Sequence, residues 1–394
     1  MAGSKAIDLA RTTLPDVVII DVSGSEGPGA DMYRELRREA DLKDMCILVT
    51  SCVECEQTRK EIFELGVDTV LYRPLGHPEL RHKLRFELEA WQEREQLALR
   101  REALSFCGVQ HKEPPFTGTV LIVDDDPNSA RILEYSVRGL GCQTKTAASG
   151  AQALAVVSEG AVDLVLLDVM LPDVGGLAVL QKMREDPNAA NIPVMMVTIL
   201  TDHQTRGRAF TLGADELLTK PVNDVALGRG ARRLLARKKN KDELARLGHE
   251  FSGGGRDEEK PREHTGEALF IRLLECQARH LLSTRHPMAH IRISAQGEAK
   301  PPVTWERVLR RYTRAVDWVS WLDNGDLAVM MPYVGVEADA ILGAFLESSA
   351  DARMSESGRL VLPKLGLAVL PDHGHRTDQL MDKARCLDWK GADG

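Results

Sequence analysis

Four apolar runs in this chain end in groups that could do chemistry together. Val120-Leu-Ile-Val-Asp124-Asp125-Asp126 ends in carboxylates, as does Val162-Asp-Leu-Val-Leu-Leu-Asp168. Val194-Met-Met-Val-Thr198 ends in a hydroxyl, and Leu217-Leu-Thr-Lys220-Pro221 ends in an ammonium followed by a helix-starting proline. Short continuous apolar runs read as strands buried on both faces. In an open parallel sheet the C-terminal ends of such strands share one edge, where ligands bind. Clustered carboxylates with a lysine suit a hard cation such as Mg²⁺ together with a phosphoryl group. The chain therefore reads as one switched by phosphorylation of an aspartate.

With these four motifs in order, the segment from about Thr117 to Lys238 resembles the receiver domain of bacterial response regulators. The resemblance implies a doubly wound, flavodoxin-like α/β fold with a five-stranded parallel sheet. It implies that Asp168 is the phospho-acceptor. Asp125, Asp168 and the Met170 carbonyl would hold Mg²⁺, with Asp124 assisting through water. Thr198 would bond the new phosphoryl oxygen and Lys220 would pair with it. The phosphoryl donor would be a sensor histidine kinase or a phosphotransfer protein. One position departs from the family: three residues before the lysine, where the family often has Tyr or Phe, stands Leu217. The aromatic readout is therefore not expected here.

The N-terminal segment repeats this pattern. Pro15-Asp-Val-Val-Ile-Ile-Asp21 parallels Val162 to Asp168, Gly66-Val67-Asp68 parallels Gly213-Ala214-Asp215, and Arg73-Pro74 parallels Lys220-Pro221, all at an offset of 147 residues (168 − 21). Thr50 corresponds to Thr198 with a one-residue slip. Residues 1–95 thus read as a partial receiver, 117–240 as an intact one, and 262–394 as a third domain. The partial copy starts at the second helix of the fold and lacks the first strand with its acidic pair. Asp21 alone cannot assemble a cation site, and Arg73 presents a planar fork in place of the compact charge of lysine. Asp21 is expected to be a vestigial acceptor that is not phosphorylated. Its strand would become a hydrophobic edge. A start codon further upstream is the favoured explanation, a partner chain covering the edge the other.

The C-terminal segment alternates helical and strand patterns. Helix Glu267 to Leu282 precedes strand Met288 to Ser294, helix Thr304 to Val316, and Trp318-Val-Ser-Trp-Leu. The turn Asp323-Asn324-Gly325-Asp326 then leads into Leu327-Ala-Val-Met-Met. An Asn-Gly turn between apolar runs signals a hairpin. Helix Val336 to Ser348, strand Leu360 to Val369 and helix Thr377 to Trp389 complete an α+β sheet with helices packed on it. Trp321 to Pro332 and Lys364 to Ala368 resemble the corresponding strands of the GGDEF (diguanylate cyclase) module, and two receivers followed by GGDEF is a known domain order. The resemblance also implies that catalysis is lost. The signature turn reads Asp323-Asn324-Gly325-Asp326-Leu327, without paired glycines. The first-strand metal aspartate is replaced by Ser294, and the nucleotide stretch is cut to Gly297-Glu-Ala-Lys-Pro-Pro. One family feature persists: Arg314 and Asp317 form an RxxD pair where the family binds cyclic di-GMP. Arginine can clamp phosphate and stack on guanine, and the carboxylate can accept from guanine N–H groups. The alternative is an ordinary arginine–aspartate pair at a helix end. A supporting family arginine falls on Phe345, with Arg310 and Arg311 nearby as substitutes.

The chain has 394 residues, 43% hydrophobic and 28% charged, with net charge −8. This length suggests two to four globular domains. The basic run Arg232 to Lys241 is short, and no helix-turn-helix or zinc-finger signature appears, so DNA binding is not expected. No apolar run reaches membrane-spanning length. Seven cysteines without regular spacing fit a reducing cytoplasm. Cys52 and Cys55 form a CxxC, which reads as packing rather than a redox centre. The expected function is a non-enzymatic response regulator, phosphorylated on Asp168, whose degenerate GGDEF-like domain binds cyclic di-GMP and a downstream protein, with a homodimer as the family-based expectation. The alternative is a phosphorylation-controlled adaptor without nucleotide, and the third reading is an active diguanylate cyclase with an atypical site.

Overall fold

The computed structural model describes residues 2–13, 15–39, 45–52, 56–67, 70–73, 76–106, 118–199, 203–250, 267–284, 286–296, 303–322, 325–335, 337–348 and 362–370. In chain order the elements are α1 (Ala2–Thr13), β1 (Val17–Asp21), α2 (Pro28–Arg38), β2 (Cys46–Ser51), α3 (Glu56–Glu64), β3 (Val70–Tyr72) and α4 (His77–Phe106). Then follow β4 (Thr119–Val123), α5 (Pro127–Arg138), β5 (Gln143–Ala147), α6 (Gly150–Ser158), β6 (Leu164–Leu167), α7 (Gly176–Glu185), β7 (Val194–Thr198), α8 (His203–Thr211), β8 (Glu216–Thr219) and α9 (Asp224–Glu250). The last group is α10 (Glu267–Thr284), β9 (Met288–Gln296), α11 (Val303–Leu309), β10 (Trp318–Trp321), β11 (Leu327–Pro332), α12 (Ala338–Ser348) and β12 (Leu362–Leu370). The chain forms two compact units. One comprises Met1–Trp91 with Pro114–Lys239, and the other Gln92–Glu113 with Asn240–Gly394.

The first unit carries two parallel sheets. The larger has five strands in the order β5-β4-β6-β7-β8, the doubly wound arrangement expected from the four strand-end motifs. Its register places Val123 beside both Ala147 and Leu167, and Thr198 beside Thr219, so the polar strand ends line up along one edge. The continuous apolar runs are explained by two-sided burial. Leu121 and Val123 face a cluster containing Ala153, Val179, Leu180 and Phe210. Val120 and Ile122 face the opposite cluster, with Leu133, Val137, Leu227 and Leu234. Each such side chain contributes about 1.5–3 kcal/mol on leaving water.

The smaller sheet is β1-β2-β3, all parallel. Its elements repeat the order of α6 to α9 in the larger half, as the 147-residue offset predicts. Ile7 and Ala10 of α1, Tyr33 and Leu36 of α2 and Ile62 of α3 pack with Ile20 and Val49 on one face. Among the described residues β1 pairs on one side only, and Ile19 on it is half-exposed. The first part of α4 belongs to the same unit for a definite reason. Phe86 and Ala90 enter the core cluster of the five-stranded sheet. Lys83, buried to 1% exposure, places its Nζ 2.6 Å from Glu216 Oε1 at the start of β8. Arg233 holds the other carboxylate oxygen of Glu216 and also pairs with Glu87.

The second unit is built on a four-stranded antiparallel sheet, β10-β11-β9-β12. Met288, Trp318, Ala328 and Met330 face α10 and the later parts of α4 and α9. Ala289, Ile291, Val319 and Val329 face Trp305 of α11 and Leu342 and Phe345 of α12. The expected hairpin joins β10 and β11, pairing Trp321 with Leu327 and closed by a bond from Gly325 N to the Leu322 carbonyl. One helix ends earlier than its pattern suggests. It stops at Leu309 instead of continuing to Val316, because the following amides turn back on Val308 and Leu309 and the Asp317 carboxylate takes the Arg314 N–H. Residues 107–117 and 251–266 and the expected helix Thr377 to Trp389 lie outside the described residues.

Candidate functional site

Asp124, Asp125 and Asp168 meet at the C-terminal edge of the five-stranded sheet, with ligand atoms all within 4.8 Å of one another. Asp124 and Asp168 are buried, while Asp125 is exposed. Lys220 bridges the two buried carboxylates, with Nζ 2.7 Å from Asp124 Oδ2 and 2.5 Å from Asp168 Oδ2. Burial pulls the Lys220 ammonium down. The hydrogen bonds and charges of Asp124 and Asp168 outweigh that, and its pKa lies above the ordinary lysine value. Asp168 also accepts from the Met170 amide at 3.0 Å. Thr198 is fully buried at the end of β7, its carbonyl accepting the Lys220 amide at 2.8 Å.

The turns around this edge hold the groups in place. Asp126, the third acid, caps α5 by accepting from the amides of Asn128 and Ser129, with Pro127 as the first helical residue. The Ser129 hydroxyl donates to Asp124 Oδ2 at 2.5 Å, and the Asp126 amide donates to Asp124 Oδ1 at 3.1 Å. In the loop after Asp168, Asp173 accepts from the amides of Gly150 and Ala151 at the start of α6. Those backbone N–H groups, with that of Val174, pull its carboxyl down to about 2. Gly176 is required by space: a Cβ there would lie 1.9 Å from the Asp168 carbonyl oxygen.

Three carboxylates with one ammonium leave a net negative pocket lined by hard oxygen donors. Mutual repulsion at this spacing is relieved by a divalent cation, and oxygen donors are the ligands Mg²⁺ prefers. The residues present therefore fit such an ion.

The other sequence-predicted positions lie in different surroundings. Asp21 is half-exposed at the end of β1, and both of its oxygens lie 2.9 Å from Arg73 Nη2, with Thr50 donating to Oδ1 at 3.2 Å. In the second unit the Asp317 side chain is completely buried. Burial pushes its carboxyl upward, against the opposing effect of Arg314. Its oxygens take the Arg314 amide at 2.6 Å and Arg314 Nη2 at 2.7 Å, and the same Nη2 donates to the Pro332 carbonyl. Arg314 itself is partly exposed. Arg100 donates to the carbonyls of Ala315, Val316 and Asp317 from beneath. The pair is thus a pinned turn, with a buried carboxylate and a partly exposed guanidinium. At the hairpin, Asp326 is paired with Arg292 at 2.5 Å, while Leu327 is fully buried. Phe345 is fully buried edge-on to Trp305. Asp323 and Asn324 lie outside the described residues, as does the stretch after Gln296.

Sequence reasoning missed the capping role of Asp126, and missed Ser129 and Asp173 altogether. The Asp-Pro helix start was a readable cap signal. Ser129 was readable only as a hydroxyl one helical turn from the acids, and Asp173 gave no local signal because its partners lie 22 and 23 residues away.

The family model for the response regulator receiver domain matches residues 120–230, the whole of this site. The response regulator PleD of Caulobacter vibrioides is 37% identical over 125 residues, covering 32% of this chain and 28% of PleD. The DNA-binding dual master transcriptional regulator RpaA of Synechocystis is 31% identical over 170 residues, covering 42% of this chain and 70% of RpaA. Among solved structures, the signal receiver domain of a histidine kinase from Syntrophus aciditrophicus is 35% identical, covering 30% of this chain and 90% of that one, with a TM-score of 0.29. No helix among the described residues is long and apolar enough to cross a membrane. With its carboxylate cluster, bridging lysine and strand-end threonine inside the matched segment, the chain belongs to the response regulator receiver family.

Proposed function

We propose that this protein is a response regulator phosphorylated on Asp168 that signals through a non-catalytic C-terminal unit. The observation that carries the reading is the placement of Lys220 between Asp124 and Asp168, beside Asp125, at one sheet edge. Asp125, Asp168 and the Met170 carbonyl would hold Mg²⁺, with Asp124 assisting. Bound there, the ion would neutralise the carboxylates and polarise the incoming phosphoryl group. An Asp168 carboxylate oxygen attacks the phosphorus of a phosphohistidine on a kinase or phosphotransfer protein. The P–N bond breaks, the imidazole takes up a proton, and an acyl phosphate forms. Lys220 pairs with the phosphoryl oxygens and the Thr198 hydroxyl donates to one of them. The modification adds roughly −1.5 to −2 charge at a site that already binds a lysine.

Three features of the second unit support an output without cyclase chemistry. Asp326 is neutralised by Arg292, the position of the supporting arginine is the buried Phe345, and Ser294 stands on β9 in place of a metal-binding aspartate. The complete burial of Asp317 favours a protein-interaction adaptor over a nucleotide effector, since no carboxylate oxygen is accessible to a guanine. Partly exposed Arg314 keeps cyclic di-GMP binding as the second reading. That reading requires Asp317 to leave its pair.

Labelling by a small phosphodonor tests the first claim. We expect Mg²⁺-dependent incorporation into the full chain and none into Asp168→Asn, and persistent labelling of that variant would refute the assignment. Calorimetric titration of cyclic di-GMP into the full chain separates the two outputs. No heat is expected, whereas micromolar binding abolished by Arg314→Ala would establish the second reading.

A further inference from the structure

We infer that Ser129 is a positioning residue for the cation site, and that its hydroxyl sets the orientation of Asp124. This rests on the assignment of the carboxylate cluster as a Mg²⁺ site and deepens it by one residue.

The geometry forms a short chain of fixed groups. Asp126 accepts from the Ser129 amide, which anchors Ser129 in the first turn of α5. Side chains on a helix tilt toward its N-terminus, and this directs the Ser129 hydroxyl back over the end of β4. There it donates to Asp124 Oδ2 at 2.5 Å. That same oxygen takes Lys220 Nζ at 2.7 Å, and Oδ1 takes the Asp126 amide at 3.1 Å. Asp124 is thus held by three donors, with its side chain only 1% exposed.

Of the two side chains that hold Oδ2, Lys220 is the one expected to change partner. It also contacts Asp168, and it would pair with the phosphoryl group once that group is present. Ser129 has no such second task at the acceptor. It would remain on Asp124 when Lys220 moves, so that a carboxylate nearly shut off from water keeps a side-chain donor and a fixed rotamer. Groups that orient a metal's carboxylates typically matter by 10- to 100-fold in affinity.

The test compares Mg²⁺ binding by the full chain, by Ser129→Ala and by Ser129→Thr in calorimetry, with thermal melting of each. We expect Ser129→Ala to weaken Mg²⁺ affinity by roughly tenfold. Ser129→Thr, which keeps the hydroxyl, should stay within about twofold of the wild type, and melting temperatures should barely differ. Beryllofluoride affinity at saturating Mg²⁺ should follow the same order. An Ser129→Ala protein that binds Mg²⁺ like the wild type would overturn the role of Ser129 and leave the cation site standing. A wild-type chain that binds no Mg²⁺, or an Asp168→Asn chain that binds it equally well, would overturn both. Weakening in the threonine variant equal to that in alanine would also overturn the inference, since the hydroxyl is then not the cause.

Discussion

Asp21 and Asp168 end equivalent strands of a repeated scaffold, yet their surroundings differ. Each stands at the end of a parallel strand, has a threonine at or near the end of the neighbouring strand, and meets a cation that follows the strand beyond. Each is backed by a glycine whose Cβ would strike the aspartate carbonyl, at 2.0 Å for Gly29 and 1.9 Å for Gly176. These glycines keep the 147-residue offset, 176 − 29, that relates the two aspartates. The difference lies in what stands on the other side. β6 has β4 beside it, which brings Asp124 and Asp125 to the site. Among the described residues β1 has β2 alone. At Asp168 the lysine is shared between two carboxylates, whereas at Asp21 one guanidinium nitrogen takes both oxygens of a single carboxylate. Under the proposed phosphorylation of Asp168, what sets it apart from Asp21 is its neighbours: the acidic pair that β4 supplies.

The strongest way to break this comparison is to exchange the cations. Lys220→Arg should lower labelling of Asp168 by roughly 10²-fold, because a planar fork does not fit the shared position. Arg73→Lys should leave Asp21 unlabelled, since among the described residues no acidic pair faces it. Labelling of Asp21 in that variant would show that the lysine alone makes the acceptor. The shared part of the scaffold should respond alike in both copies. Gly29→Ala and Gly176→Ala each force a Cβ onto a backbone oxygen and should cost about 2–3 kcal/mol in denaturant unfolding. A harmless change at either glycine would separate the two turns.

A smaller effect distinguishes the helices that follow. At the same offset (82 + 147) His82 of α4 matches Arg229 of α9. Burial, with the nearby Lys83, pulls the His82 pKa down to about 4. Its folded pKa lies below the unfolded value of about 6.5, so the native ring is neutral and the unfolded ring takes a proton first. The stabilisation is full above pH 6.5 and is lost as pH falls from 6.5 toward 4. Melting temperatures between pH 7 and 4.5 should decline, and His82→Phe should flatten part of that decline. The smallest effect belongs to the Arg73–Asp21 pair. Arg73 and Asp21 are both about half-exposed, at 48% and 52%, and Arg73→Met should cost under about 1 kcal/mol by chemical denaturation.

Much of the first unit was legible because its signals are local or periodic. Val120 to Val123 and Leu164 to Leu167 are apolar throughout because helices cover both faces of the sheet, and a run of that kind ending in Asp or Lys marks the functional edge. The repeat was legible as an offset. The hairpin at Gly325 was legible from its turn chemistry. The early end of α11 was not, since it depends on Asp317 capturing the Arg314 amide in competition with the helix.

The sequence by itself determined the parallel sheet and the identity of the chemical groups at its edge. These follow from residue type and spacing along the chain. Only the tertiary structure decided that Ser129 donates to Asp124, that Arg314 and Asp317 pair beside the backbone carbonyls held by Arg100, and that Lys83 is buried against Glu216. The free energy of an ionised group depends on which charges and how much water surround it in space. That environment is assembled from residues as far apart as Arg100 and Asp317, and no local pattern along the chain encodes it.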